Sequence, residues 1–90
     1  MGRPKCDFNI KFCPPYNSFK PEEGGCSGVI DIEQAEIESL RLKNIKNLDQ
    51  TEAAKKMGVS QSTFQRVLSS AYKKVSLALI ESRELRIIKP

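Results

Sequence analysis

Read for the spacing of its apolar residues, the chain changes period along its length. In "DFNIKF", residues 7–12, Phe8, Ile10 and Phe12 alternate with Asp7, Asn9 and Lys11. A period of two with one apolar side predicts a half-buried strand. Pro14 and Pro15 stop it, because proline cannot donate to a sheet ladder. The "NSFKPEEGG" that follows gathers turn formers and reads as a surface loop. Residues 1–28 are thus expected to form an irregular arm and loop with one short strand, and residues 29–90 a helical unit.

From Asp31 the period lengthens. Ile32, Ala35, Ile37, Leu40, Leu42 and Ile45 fit the apolar face of a helix, and Asp31 with Gln34 has the form of a capping box. Asn44 to Asn47 ends it. Asp49 then supplies a second N-cap, with Glu52 three residues on. Ala53, Ala54 and Met57 make the buried side of a short helix, and Gly58 closes it in the left-handed conformation that glycine adopts cheaply. Val59 is free to turn inward, and Ser60 caps a third helix from Gln61 to about Ile80. The apolar tail segment Leu85 to Ile88 is expected to pair with the 7–12 strand, since a lone strand is not stable. The fold class expected is mainly α with a small β pairing of the N- and C-terminal segments.

A short helix, a tight glycine-containing turn and a longer helix are the parts of a helix-turn-helix. At 100° per residue the third helix has two faces. Phe64, Val67, Leu68, Ala71, Val75 and Ala78 fall on one side; Ser62, Arg66, Ser69 and Lys73 fall opposite, with Gln65 beside them. From Gln61 to Ile80 there is no Asp or Glu. A helix kept soluble by its surface alone mixes charge signs, whereas one lying against phosphate excludes acids. Gln61, Ser62, Gln65 and Arg66 are the candidate base readers, because glutamine bonds adenine and arginine bonds guanine bidentately in the major groove. Ser60, Thr63, Ser69, Lys73 and Lys55 are the candidate phosphate contacts. Met57, Val59, Phe64 and Leu68 would hold the two helices at their angle. The plain alternative is a helical hairpin that only builds a core.

Charge sharpens this picture. Six acids and no base lie in residues 21–40, whereas residues 41–80 carry eight bases against Asp49 and Glu52. An acidic segment therefore separates a basic arm from a basic second half. The arm holds "GRPK", in which Arg3 and Lys5 could enter the minor groove of A·T tracts; the alternative is a disordered basic terminus. Histidine is absent, which removes the commonest general base and metal ligand. No nucleophile–base pair, phosphate loop or metal triad occurs, so an enzyme is not expected. Glu33, Glu36 and Glu38 are expected on an exposed helix face, ion-paired locally with Arg41 and Lys43. Cys6, Cys13 and Cys26 are odd in number and lack C-x-x-C spacing; they read as packed or idle thiols, with a metal or redox site as the alternative. No apolar run reaches the ~20 residues of a membrane span and no signal peptide is discernible, so a cytoplasmic, nucleoid-associated location is expected and no membrane partner.

At "LDQTEAAKKMGVSQSTFQRVLSSAYKKV" the chain resembles region 4 of bacterial sigma factors, where a "VS-x-x-T" turn opens the recognition helix. Over nearly its full length it resembles a small, poorly characterised prokaryotic family of predicted DNA-binding proteins with such a helix-turn-helix. The matching segments are Arg3-Pro4-Lys5, Phe19-Lys20-Pro21, "EIESLRL" at 36–42, "EAAKKMGVSQSTFQRVL" at 52–68, "KVSLAL" at 74–79 and "LRI" at 85–87. The resemblance implies a helix-turn-helix fold, winged-helix-related at most, and a regulatory DNA-binding function on double-stranded DNA. It implies no operator, ligand or cofactor. Gln61 and Tyr72 stand where relatives often carry a basic residue, which alters the expected phosphate grip and sequence preference. Two rival functions remain open: a protein-interaction module that docks RNA polymerase or a regulator on the acidic 31–40 face, and a thiol- or metal-responsive DNA-binding sensor. A homodimer is a candidate assembly, since half-site recognition is usually twofold.

Overall fold

The structure is a computed structural model and describes residues 18–21 and 28–88. The strand expected at 7–12, the Arg3–Lys5 segment and all three cysteines lie outside the described residues. The chain runs β1 (Ser18–Phe19), β2 (Val29–Glu33), α1 (Gln34–Leu40), a π-helical turn (Arg41–Ile45), α2 (Gln50–Met57), α3 (Gln61–Glu81) and β3 (Glu84–Ile88). Among the described residues it is mainly helical, with three helices and a small three-stranded sheet in the order β1-β3-β2. β3 pairs antiparallel with β1, Phe19 opposite Leu85, and parallel with β2, Ile32 opposite Ile87. The tail is thus a strand, but its described partners are residues 18–19, which the sequence reads as loop, and β2, which the local pattern does not predict; the expected partner at 7–12 lies outside the described residues.

That partner corrects the reading of residues 29–33. They form a strand, and α1 is capped by Glu33 rather than by Asp31. The Glu33 N–H donates to Glu36 Oε1 at 2.8 Å, one arm of the capping box. Ile30 and Ile32 alternate with Asp31 and Glu33, so the segment satisfies a period of two as well as the start of a helical stripe. Ile32 is buried and Asp31 pairs across the sheet with Arg86 at 3.2 Å.

The π-helical turn produces a second correction. The Lys46 N–H bonds the Arg41 carbonyl five residues back at 3.0 Å, which widens the turn and shifts the phase of the residues after it. Ile45, expected on the apolar face, is consequently 72% exposed. Asn47, with φ of 58°, then turns the chain out of the helix, and the Leu48 N–H returns to the Leu42 carbonyl at 3.1 Å.

The core lies where α1, α2 and α3 meet. Ala35, Leu42, Ala53, Ala54, Met57, Phe64 and Leu68 are buried together, with Leu40, Leu48, Val59 and Val67 packed at their edge. Small side chains at Ala53 and Ala54 permit α3 to approach α2 closely, while Phe64 and Met57 fill the crossing.

A third correction concerns the acidic segment. Glu36 and Glu38 are buried, at 6% and 1% exposure, and not on an open face. Glu36 receives the Ser70 hydroxyl and the Lys74 ammonium, the latter at 2.8 Å, which ties α1 to α3. Glu38 takes a bidentate pair from Arg41, at 3.0 Å from Nε and 2.9 Å from Nη2, as expected for a local ion pair. This hydrogen bond, reinforced by the opposite charge and partly opposed by burial, holds the Arg41 guanidinium above its ordinary value. Partnering explains how two carboxylates stay inside: a buried charge is costly unless it is paired and hydrogen-bonded.

Candidate nucleic-acid interface

Three local devices set the end of α3. Asp49 caps α2, its carboxylate accepting the Glu52 N–H at 2.8 Å. Gly58, with φ of 72°, ends α2: its N–H bonds the Lys55 carbonyl and the Val59 N–H bonds the Ala54 carbonyl, each at 3.1 Å. This pair of bonds is a Schellman motif, whose left-handed residue favours glycine. It turns Val59 toward the core, as expected from the sequence. Ser60 then caps α3, its Oγ accepting the Thr63 N–H at 3.1 Å.

Of the candidate base readers and phosphate contacts, Gln61, Ser62, Gln65, Arg66, Ser69 and Lys73 are all exposed on the outer side of α3. Phe64, Leu68, Ala71 and Ala78 are buried on the opposite side, so the helical phase holds over the whole element. Arg66 and Lys73 make no ion pair among the described residues, and no acid lies on α3 before Glu81.

Other candidates are occupied differently. The Ser60 hydroxyl donates to Thr63 Oγ1 at 3.0 Å, and Thr63 is half-buried, so both hydroxyls belong to the cap. Lys55 is exposed on α2, beside Glu52 and Lys56 at a shallow depression with Leu48. Tyr72, on the edge of α3, donates its hydroxyl to Asn44 Oδ1 at 3.2 Å and faces the end of the first helix. One participant has no sequence signal of its own. Gln50, in the first turn of α2, accepts a hydrogen bond at 3.4 Å from Gln61 Nε2. The pair lies eleven residues apart and only the crossing of α2 and α3 brings it together. It leaves Gln61 Oε1 and one amide proton free, the two groups adenine needs.

No helix among the described residues is long and apolar enough to cross a membrane. No solved structure matches the chain. Curated relatives do. A UPF0251 protein of Caldicellulosiruptor bescii is 40% identical over 87 residues, covering 97% of this chain and 61% of that protein. One of Halothermothrix orenii is 39% identical over 88 residues, 96% of this chain and 65% of the relative. One of Shewanella baltica is 39% identical over 94 residues, 100% of this chain and 94% of the relative. The chain therefore spans about three fifths of the length of the first two and nearly all of the third. The profile of the family described as "Protein of unknown function DUF134" matches residues 1–90, and the chain belongs to that family.

Proposed function

We propose that the chain is a sequence-specific DNA-binding protein, a helix-turn-helix regulator of transcription that reads the major groove with the first turns of α3. One observation carries this reading: the outer side of α3 is exposed, polar or basic from Gln61 to Lys73, and free of acids, with Arg66 and Lys73 uncommitted to any ion pair among the described residues. In this role Gln61, Ser62, Gln65 and Arg66 contact base edges, while Ser69 and Lys73 meet the backbone. α2 braces the recognition helix through Ala53, Ala54 and Met57. Gln50 steadies the Gln61 amide. Ser60 and Thr63 act through the cap, leaving the first N–H groups of α3 to favour a phosphate.

Against the acidic docking face stands the burial of Glu36 and Glu38, each already engaged inside the protein. The other acids of that segment lie on its strand, where Asp31 is paired to Arg86.

The test is a selection from random duplex DNA at near-physiological salt, run beside Arg66→Ala. The native chain should yield a distinct motif. The variant should lose affinity by about 1–3 kcal/mol and relax one position of that motif. Equal, motif-free and purely salt-dependent binding by both proteins would sink the proposal.

A further inference from the structure

We infer that the C-terminal half of α3, with the lip of the π-helical turn, is the face on which two copies of this chain associate. Tyr72, Val75, Ser76 and Leu79 follow one another at i, i+3, i+4 and i+7, the spacing of a single helix stripe. Tyr72, Val75 and Ser76 border a groove of about 630 Å³ whose other wall is Ile37, Leu40, Arg41 and Ile45. Leu79 and Ile80 are 79% and 81% exposed, and Ile45 is 72% exposed. Nothing in the fold requires this. Tyr72, Val75 and Leu79 continue the edge of the inner side on which α3 buries Phe64 and Leu68, and at this end of the helix the described residues leave Tyr72 and Leu79 exposed.

Charge selects the occupant. A twofold interface sets each patch against its own copy, so a net charge at its centre would repel itself. From Val75 to Ile80 there is no charged residue. The single charged group in the groove wall, Arg41, is neutralised by Glu38 within the same chain at 2.9 Å. The neighbouring basic stripe of Arg66 and Lys73 lies nearer the N-terminus of α3 and about 100° round the helix from Tyr72, outside the contact; Ile80, seven residues after Lys73, ends that stripe. A strongly charged partner would find no counterpart here; an identical uncharged face does.

Reach agrees, and this second argument rests on the DNA-reading function above. Gln65 lies eleven residues before Ser76, about 16 Å along a helix. Two copies meeting near Ser76 can therefore hold their reading segments up to about 33 Å apart, close to the ~34 Å between half-sites one turn apart.

Sedimentation equilibrium of the native chain without DNA, beside Leu79→Glu and Ile45→Glu, tests the surface. Both positions are open to solvent, so each variant should keep the native far-UV circular dichroism and a cooperative melt, losing only the concentration-dependent part of Tm that a dimer contributes. The native chain should be a dimer, and Leu79→Glu should weaken association by roughly 100-fold or more, since both copies lose the contact. On an inverted-repeat duplex, Leu79→Glu should fall to single-half-site affinity, whereas Arg66→Ala should weaken both. A native chain that stays monomeric at several hundred micromolar overturns the proposal and leaves the face to a different partner. So does a dimer indifferent to both variants. Dimerisation broken by Leu79→Glu in a chain that binds no DNA would keep this surface and reject only the DNA reading.

Discussion

Lys73 and Lys74 are adjacent in the chain and have opposite fates. Lys73 is exposed on the outer side of α3 without an ion pair among the described residues, whereas Lys74 turns inward to Glu36 at 2.8 Å. The same contrast separates Arg66, open and unpaired among the described residues, from Arg41, locked to Glu38. One helical step of 100° decides whether a cation is available to a partner or is part of the fold. The regional charge of a sequence therefore overstates what its surface offers: two of the acids in the 31–40 segment and two of the bases after it cancel inside the protein.

The contrast can be broken most strongly from its inner side. Glu36→Ala removes the acceptor of both Ser70 and Lys74; a loss of about 2–4 kcal/mol is expected. For a domain of this size that lowers Tm by roughly 10 °C or more in a thermal melt. On the outer side, Arg66→Ala should cost about 1–3 kcal/mol of DNA affinity, read by fluorescence anisotropy. It should leave stability within about 0.5 kcal/mol, because its side chain is open to solvent. Gly58→Ala, at the turn that joins α2 to α3, forces a Cβ into a left-handed conformation; about 1–2 kcal/mol of stability should be lost in urea. The smallest and most discriminating effect comes from the lysine pair. Lys73→Ala should make the salt dependence of DNA binding shallower by ~0.9 in log–log slope and leave Tm unchanged. Lys74→Ala should do the reverse, lowering Tm and keeping the slope. If both change the same quantity, the division between outer and inner cations is wrong.

What could be read from the sequence was local. The cap at Ser60, the left-handed Gly58, the phase of α3 and the small contact residues of α2 all depend on groups within one or two turns of each other. They stand in the structure as expected. What could not be read depends on distant partners. Residues 29–33 carry both a helical and an alternating pattern, and β3, some fifty residues on, decides between them. Glu36 looked like a solvated acid because Ser70 and Lys74 lie 34 and 38 residues away. Ile45 fits a 3.6-residue stripe, and only the wider π turn turns it outward. The outer stripe of α3 was legible because exposure of a polar face follows once the buried face is known. The Gln50–Gln61 bond was not, because it requires the crossing geometry.

The parallel pairing of β2 with β3 also sets an order of events as the chain is made. Asp31 and Arg86 stand 55 positions apart, so closing that span costs about 3.5 kcal/mol beyond a constant, unless the helices between have already drawn its ends together. β2 is synthesised before all three helices and its partner after them, so it must wait with an open edge. Asp31 and Glu33, alternating with its two isoleucines, charge that edge and discourage pairing with another chain during the wait. When β3 arrives, Arg86 neutralises Asp31 and marks the correct register.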